Sequence, residues 1–254
     1  MDLAAFVGGS VFAFLLVFVR LAAAFMIIPA IGEQAISARI RLLFALVVAA
    51  VVTPVVRQYL PPEPSAPAEL AALVVSEILV GLFIGTLARV LLTALETGGF
   101  LIANQLGLAA AQAFNPALAA PGNPIGALLG IGAVVVIFAT DLHHMLILAV
   151  VDSYTLFSPA DGLPLGDATE HLAQTVNTSF AIGVQLAVPF FVIGFLFYLG
   201  LGLVARLVPQ VQVFFVGLPI QIAIGSLMLS LSLSALMLFW LTHFEDQLVG
   251  LLRP

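Results

Sequence analysis

The sequence has no cysteine, which excludes disulfides, thiolate-bound zinc, iron–sulfur clusters and thiol nucleophiles, and it leaves the redox compartment open. It has no lysine either. All seven basic residues are arginine, and they form no basic cluster in a chain of net charge −6, which argues against a nucleic-acid partner. Charged residues make up only 8% of the chain, against roughly 25% in an ordinary soluble domain. Phosphate-cradling and nucleophile signatures are also missing. There is no P-loop, no GxGxxG, no GxSxG and no HExxH, so no catalytic constellation emerges and no cofactor is implied.

What the chain has is apolar surface. It is 63% hydrophobic with a mean hydropathy of +1.24, more than a soluble fold can hide, so lipid or protein partners must cover it. Six stretches are candidate apolar helices: Leu3–Ile31, Ile40–Val56, Leu70–Leu95, Ile125–Val151, Leu172–Val204 and Val211–Thr242. A seventh, Phe100–Phe114, is shorter and more polar. Leu42–Val56 offers only 15 residues between Arg41 and Arg57, about 22 Å of helix, short for a span. The two longest stretches exceed a bilayer's need. Such uneven lengths predict helices that tilt, kink or fold back as hairpins.

Pro29, Pro54, Pro189, Pro209 and Pro219 lie within or beside these stretches, where each removes a helical hydrogen bond. Gly81–Gly85 and Gly126–Gly130 have the GxxxG spacing that permits close helix approach, though 21 glycines also produce it by chance. The N-terminus MDLAAFVGG carries an acid where a secretory signal would carry a base, so an uncleaved first helix is expected. Two linkers stand out. Gln58–Ala68 holds four prolines in eleven residues, and Asp152–His171 carries Asp152, Asp161, Asp167 and Glu170 with no base. With six spans, the positive-inside tendency puts the Arg39/Arg41 turn and Arg206 in the cytoplasm and both linkers outside. No free linker divides residues 1–254, which read as one domain.

Charges inside apolar segments are costly and therefore candidates for function. They are Glu77, Arg89, Glu96 and Asp141. Arg89 and Glu96 share a helix face two turns apart, too far to touch. Either these groups pair with polar groups on neighbouring helices or another subunit, or they serve movement of an ion or substrate. A polar stripe of Gly98, Gln105 and Gln112, with Asn104 beside it, reads as interhelical hydrogen bonding or as the lining of a passage. In FATDLHHMLIL, His143 and His144 point about 100° apart on a helix, which disfavours a shared metal. A local Asp141–His144 hydrogen bond is the preferred reading, so no metal site is assigned.

Several separated patches together resemble one family. Val204–Gly225 (VARLVPQVQVFFVGLPIQIAIG) is similar to the C-terminal signature of the FliR family and its injectisome counterparts, through Arg206, Pro209, Gln210, Phe214, Gly217 and Pro219. Val19–Leu46 resembles the family's first hairpin through Arg20, Pro29, Gly32, Arg39 and Arg41. Ser76–Gly85 matches through Glu77, Gly81 and Gly85, and Glu96–Pro116 through Glu96, Gly99, Gln105, Gly107, Asn115 and Pro116. Leu142 stands where the family often has glycine, in Asp-Gly-His-His.

The resemblance implies an all-α integral membrane protein of kinked helical hairpins within a helical export-gate complex. It implies a non-enzymatic subunit of the flagellar type III protein export gate in the bacterial inner membrane, at the flagellar basal body. Its implied partners are FliP- and FliQ-like gate subunits, FlhB- and FlhA-like export proteins, membrane lipid and exported unfolded flagellar proteins. Glu77, Arg89, Glu96, Gln105, Gln112, Asp141, Arg206, Pro209, Gln210 and Phe214 are the assembly or gating candidates. The uncharged loop Phe114–Pro124 (FNPALAAPGNP), stopped from continuing a helix by Pro116, Pro121 and Pro124 and carrying Asn115 and Gly122, matches the family's pore plug. Two alternatives stand beside this reading. One is the injectisome counterpart of the gate. The other is a self-sufficient small-solute transporter, which should show internal repeats; comparing the two halves of the chain reveals none.

Overall fold

The structure is a computed structural model that describes residues 3–108, 123–159, 162–208, 210 and 212–252. Every regular element among these residues is helical. In chain order they are α1 (Leu3–Phe25), α2 (Ala38–Val56) with a short 3-10 turn Arg57–Tyr59, α3 (Pro67–Gln105), α4 (Pro124–Ala139), α5 (Leu142–Leu156), α6 (Leu165–Leu207) and α7 (Val213–Leu252). Each of the six apolar stretches contributes helix, although Leu3–Ile31 is helical only as far as Phe25 and turns over Met26–Ile31. Their number as spans differs from six, because four helices are long and apolar enough to cross a membrane, or five if α4 and α5 count as one broken span. The chain is a multi-pass membrane protein.

The sequence-based boundaries needed correcting in three places. The α2 segment is not too short: Ala38–Tyr59 is a 22-residue apolar helical stretch. Arg41 does not end it, because its Nη1 donates to the carbonyls of Met26 (3.2 Å) and Gly32 (3.3 Å) and so caps the preceding turn. The stretch Ile125–Val151 is broken, not continuous. Asp141 adopts the left-handed conformation (φ 58°, ψ 13°), and the helices on either side of this corner meet at 79°. The acidic linker shrinks too, since Asp152 ends up inside α5, and Asp167 and Glu170 inside α6. Pro54, Pro189 and Pro219 are all accommodated inside helices.

The described residues form two compact units. The first comprises 1–91, 137–176 and 245–254. In it α1 buries Ala13, Leu16, Val17, Leu21, Ala24 and Phe25, the three-to-four spacing of one helical face. Beside α1, α2 buries only small or short residues, Ala45, Ala49, Thr53 and Val56, which lets the two backbones approach. Its opposite stripe of Leu43, Val47, Val51 and Val55 is 59–69% exposed, a face made for lipid or another chain. The second unit comprises 92–136 and 177–244, with Leu95, Ile102, Leu129, Phe190 and Trp240 in its core. There α4 begins on Pro124, whose missing N–H is no loss at a helix start, and Asn123 Oδ1 caps it by accepting from Ile125 N at 3.1 Å.

Candidate functional site

In the first unit the decisive local fact is a close approach of helices. A Cβ on Gly81 would collide with the carbonyl of Arg20 and lie 2.9 Å from Ala23 Cβ, and one on Gly85 would lie 3.0 Å from Ala24 O. Only glycine at both positions lets α3 lie this close to α1. One turn before Gly81 stands Glu77, and the approach places it against Arg20. Arg20 Nε donates to Glu77 Oε2 at 2.7 Å and Nη2 donates to Oε1 at 2.8 Å, a bidentate pair with both side chains wholly buried.

Most of the remaining valences are also used. Arg20 Nη1 donates to Ser153 Oγ (3.0 Å) and Nη2 to Phe157 O (3.0 Å), while Tyr154 Oη donates to Glu77 Oε2 (3.2 Å). The guanidinium also lies 3.7 Å from the centre of the Tyr154 ring. Ser153 Oγ spends its own proton on Val150 O at 2.6 Å. One buried cation, one buried anion, a phenol and a hydroxyl thus tie α1, α3 and α5 together. In a low-dielectric interior such a group is stable only when complete. Four of the five Arg20 N–H groups and both Glu77 oxygens are engaged, and both side chains are wholly buried, which suits holding helices in place better than moving ions.

The other intramembrane charges fare differently. Arg89 Nη1 pairs with Glu33 Oε1 at 2.7 Å, with side chains 36% and 26% exposed. Glu96 is exposed, and so is Asp141. Asp141 and His144 are joined through the backbone, His144 N donating to Asp141 O at 3.0 Å, while their side chains lie at 3.7 Å, beyond hydrogen-bond distance. Leu142, at the position where glycine was expected, is helical and buried, and the left-handed backbone falls on Asp141 instead.

In the second unit Gln105 meets a residue that the sequence did not single out. Gln221, 5% exposed, donates through Nε2 to Gln105 O (2.7 Å) and Tyr198 Oη (3.1 Å). The amide stripe is therefore partly interhelical hydrogen bonding, but Gln105 contributes its carbonyl to it. Its side-chain Oε1 instead fits against Gly194, leaving no room for a Cβ there. Gln105, Gly194 and Gln221, together with Phe190, Phe197 and Met228, line a narrow cleft. Gly99 and Gly126 pack backbone to backbone, where a Cβ on Gly99 would lie 2.5 Å from Gly126 Cα, whereas Gly130 faces open space. Only the first glycine of that GxxxG is a packing residue.

Arg206, in the last turn of α6, and Gln210 are exposed. Pro209, Gln112 and residues 114–122 of the loop lie outside the described residues, as does the Phe214 side chain. Of the loop, Asn123 and Pro124 are described, as the cap and first residue of α4.

A family model described as bacterial export proteins, family 1, matches residues 11–247. The chain belongs to this family. It is 41% identical over 233 residues to the flagellar biosynthetic protein FliR of Caulobacter vibrioides, covering 92% of this chain and 93% of the relative. The FliR of Bacillus subtilis is 33% identical, over 88% and 87%. The Yop proteins translocation protein T of Yersinia pestis is 34% identical over 63% of this chain and 62% of the relative. The span matched to the export family contains the Arg20–Glu77 network, the Gln105–Gln221 bond and the Asp141 corner alike.

Proposed function

We propose that this chain is a non-enzymatic subunit of the flagellar type III protein export gate. It acts as one domain over residues 1–254, assembled with FliP- and FliQ-like subunits and associated with FlhB- and FlhA-like proteins. Its place is the inner membrane at the flagellar basal body, and the cargo is unfolded flagellar protein. The observation that carries this reading is family membership over nearly the whole chain, with FliR relatives matched along about nine-tenths of both partners.

Physical features support it. The ion pair is wholly buried between helices, and long apolar faces remain uncovered on single helices, as on α2. The exposed Arg206 and Gln210 at the end of α6 are placed to meet a neighbouring subunit. Residues 114–124 act as the plug of the closed pore, hung between α3 and the Pro124 start of α4. The shorter match to the Yop translocation relative favours the flagellar gate over its injectisome counterpart.

Deleting the gene in its flagellated host should abolish motility and the appearance of flagellar proteins in the medium. The tagged chain should co-purify with FliP- and FliQ-like proteins in fixed ratio. Normal flagellar export in the deletion strain would overturn the proposal, and loss of injectisome secretion alone would reassign the chain to that machine.

A further inference from the structure

We propose that Asp141, His143 and His144 form a binding site for a divalent transition-metal ion. One ligand atom from each residue lies within 4.8 Å of the others, and the two imidazole rings stand 4.1 Å apart, inclined by 36°. Their convergence has a local cause. His143 and His144 occupy the first turn of α5, where side chains lean toward the helix N-terminus, and the left-handed backbone of Asp141 forms that corner.

Three features mark the cluster as more than a solvated turn. Asp141 sits in the N-cap position, yet its carboxylate makes no capping bond and lies instead beside His144, at 3.7 Å from its Nδ1. His143 Nδ1 is shielded from solvent and has no hydrogen-bond partner. Asp141 and His144 do not satisfy each other at 3.7 Å, although both remain open to solvent. Each donor is thus unused or loosely used while lying beside the others.

Two imidazoles and one carboxylate form a borderline nitrogen–oxygen set, which suits zinc, nickel or cobalt better than magnesium or calcium. With metal–nitrogen bonds of about 2.0–2.1 Å, adjacent donors lie about 3.3 Å apart, a contraction that the exposed Asp141 and His144 reach by small rotations toward the partly buried His143. The full negative charge of Asp141 offsets the repulsion that the partial positive charge at the α5 N-terminus exerts on a cation. Three protein donors leave positions open for water or for a donor from a neighbouring chain.

The test uses the full-length chain in detergent, alone or with whatever subunits co-purify, stripped with EDTA and titrated with Zn²⁺. Bound metal is counted by elemental mass spectrometry, and Co²⁺ absorption reports the ligand set. We expect one equivalent per chain, unaffected by Mg²⁺. The His171→Gln/His243→Gln variant, which removes the other two histidines, should bind equally well. Asp141→Asn and His144→Gln, both at exposed positions, should each weaken binding by more than about tenfold, the loss that removal of even an outer-sphere partner can cause. His143→Gln should do the same, and because its ring packs on Phe138, elution profiles must show that the variant stays folded. Absence of saturable binding, or binding that persists in Asp141→Asn and His144→Gln, would overturn the site. The proposal does not depend on the export role.

Discussion

Replacing Glu77 with alanine isolates the energetic role of the buried network. The substitution removes three hydrogen bonds at once: those from Arg20 Nε at 2.7 Å, Arg20 Nη2 at 2.8 Å and Tyr154 Oη at 3.2 Å. Arg20 keeps only Ser153 Oγ and Phe157 O, and since its side chain has no exposure, water does not replace the lost anion. Removing one partner of a buried pair costs about 3–5 kcal/mol, roughly a hundredfold or more in the folded fraction. The control is Arg20→Met with Glu77→Leu, which removes both charges and should recover most of that loss. Fluorescence-detected size exclusion of the detergent-solubilised chain after graded heating reads out both. If Glu77→Ala costs under about 1 kcal/mol, or the double variant is as unstable as the single one, the network is not what holds α1, α3 and α5 together.

Further outcomes follow from the same geometry. Gly99→Ala should destabilise by about 1–3 kcal/mol through its clash with Gly126, while Gly130→Ala, facing open space, should be neutral or stabilising in the same thermal assay. Gln221→Leu removes the bond to Gln105 O and should cost about 1–3 kcal/mol, measured by the same melt. Arg206→Glu should leave the chain folded, because the side chain is exposed, but should reduce co-purification with FliP- and FliQ-like subunits. Deleting residues 117–122 should leave the complex assembled and the membrane leaky to small solutes. Wild-type impermeability in that strain would make the loop a mere connector.

The helical segments were legible because apolar runs between charges declare themselves, and so was the cost of Glu77. Its partner was not. Arg20 lies 57 positions away, and only the glycine-mediated approach of α1 and α3 brings the two together. The GxxxG spacing could not say which glycine has a neighbour, and Gly81, Gly85 and Gly126 have one while Gly130 has none. Gln221 escaped notice because a single amide in a long apolar helix has no periodic companion. His143 and His144 are both helical, as expected, but the conformation of Asp141 was not legible. Its left-handed backbone, not the 100° helical step, decides what its carboxylate can reach. The break between α4 and α5 was hidden for the same reason, since no glycine or proline marks it.

The lengths of α3, α6 and α7 have a consequence for supply. Their 39, 43 and 40 residues correspond to about 60 Å of helix each, against about 30 Å of hydrocarbon. On α6, after Leu165, the exposed large apolar side chains run from Val176 to Leu207, about 48 Å of helix, so lipid can solvate only about two-thirds of that row. The rest has no suitable solvent until another protein chain arrives. A copy made in excess of its neighbours therefore stays adhesive, open to proteases and aggregation. The amount of this chain that a cell can hold is set by the synthesis of its partners and not by its own, and overexpression alone should raise turnover without raising abundance.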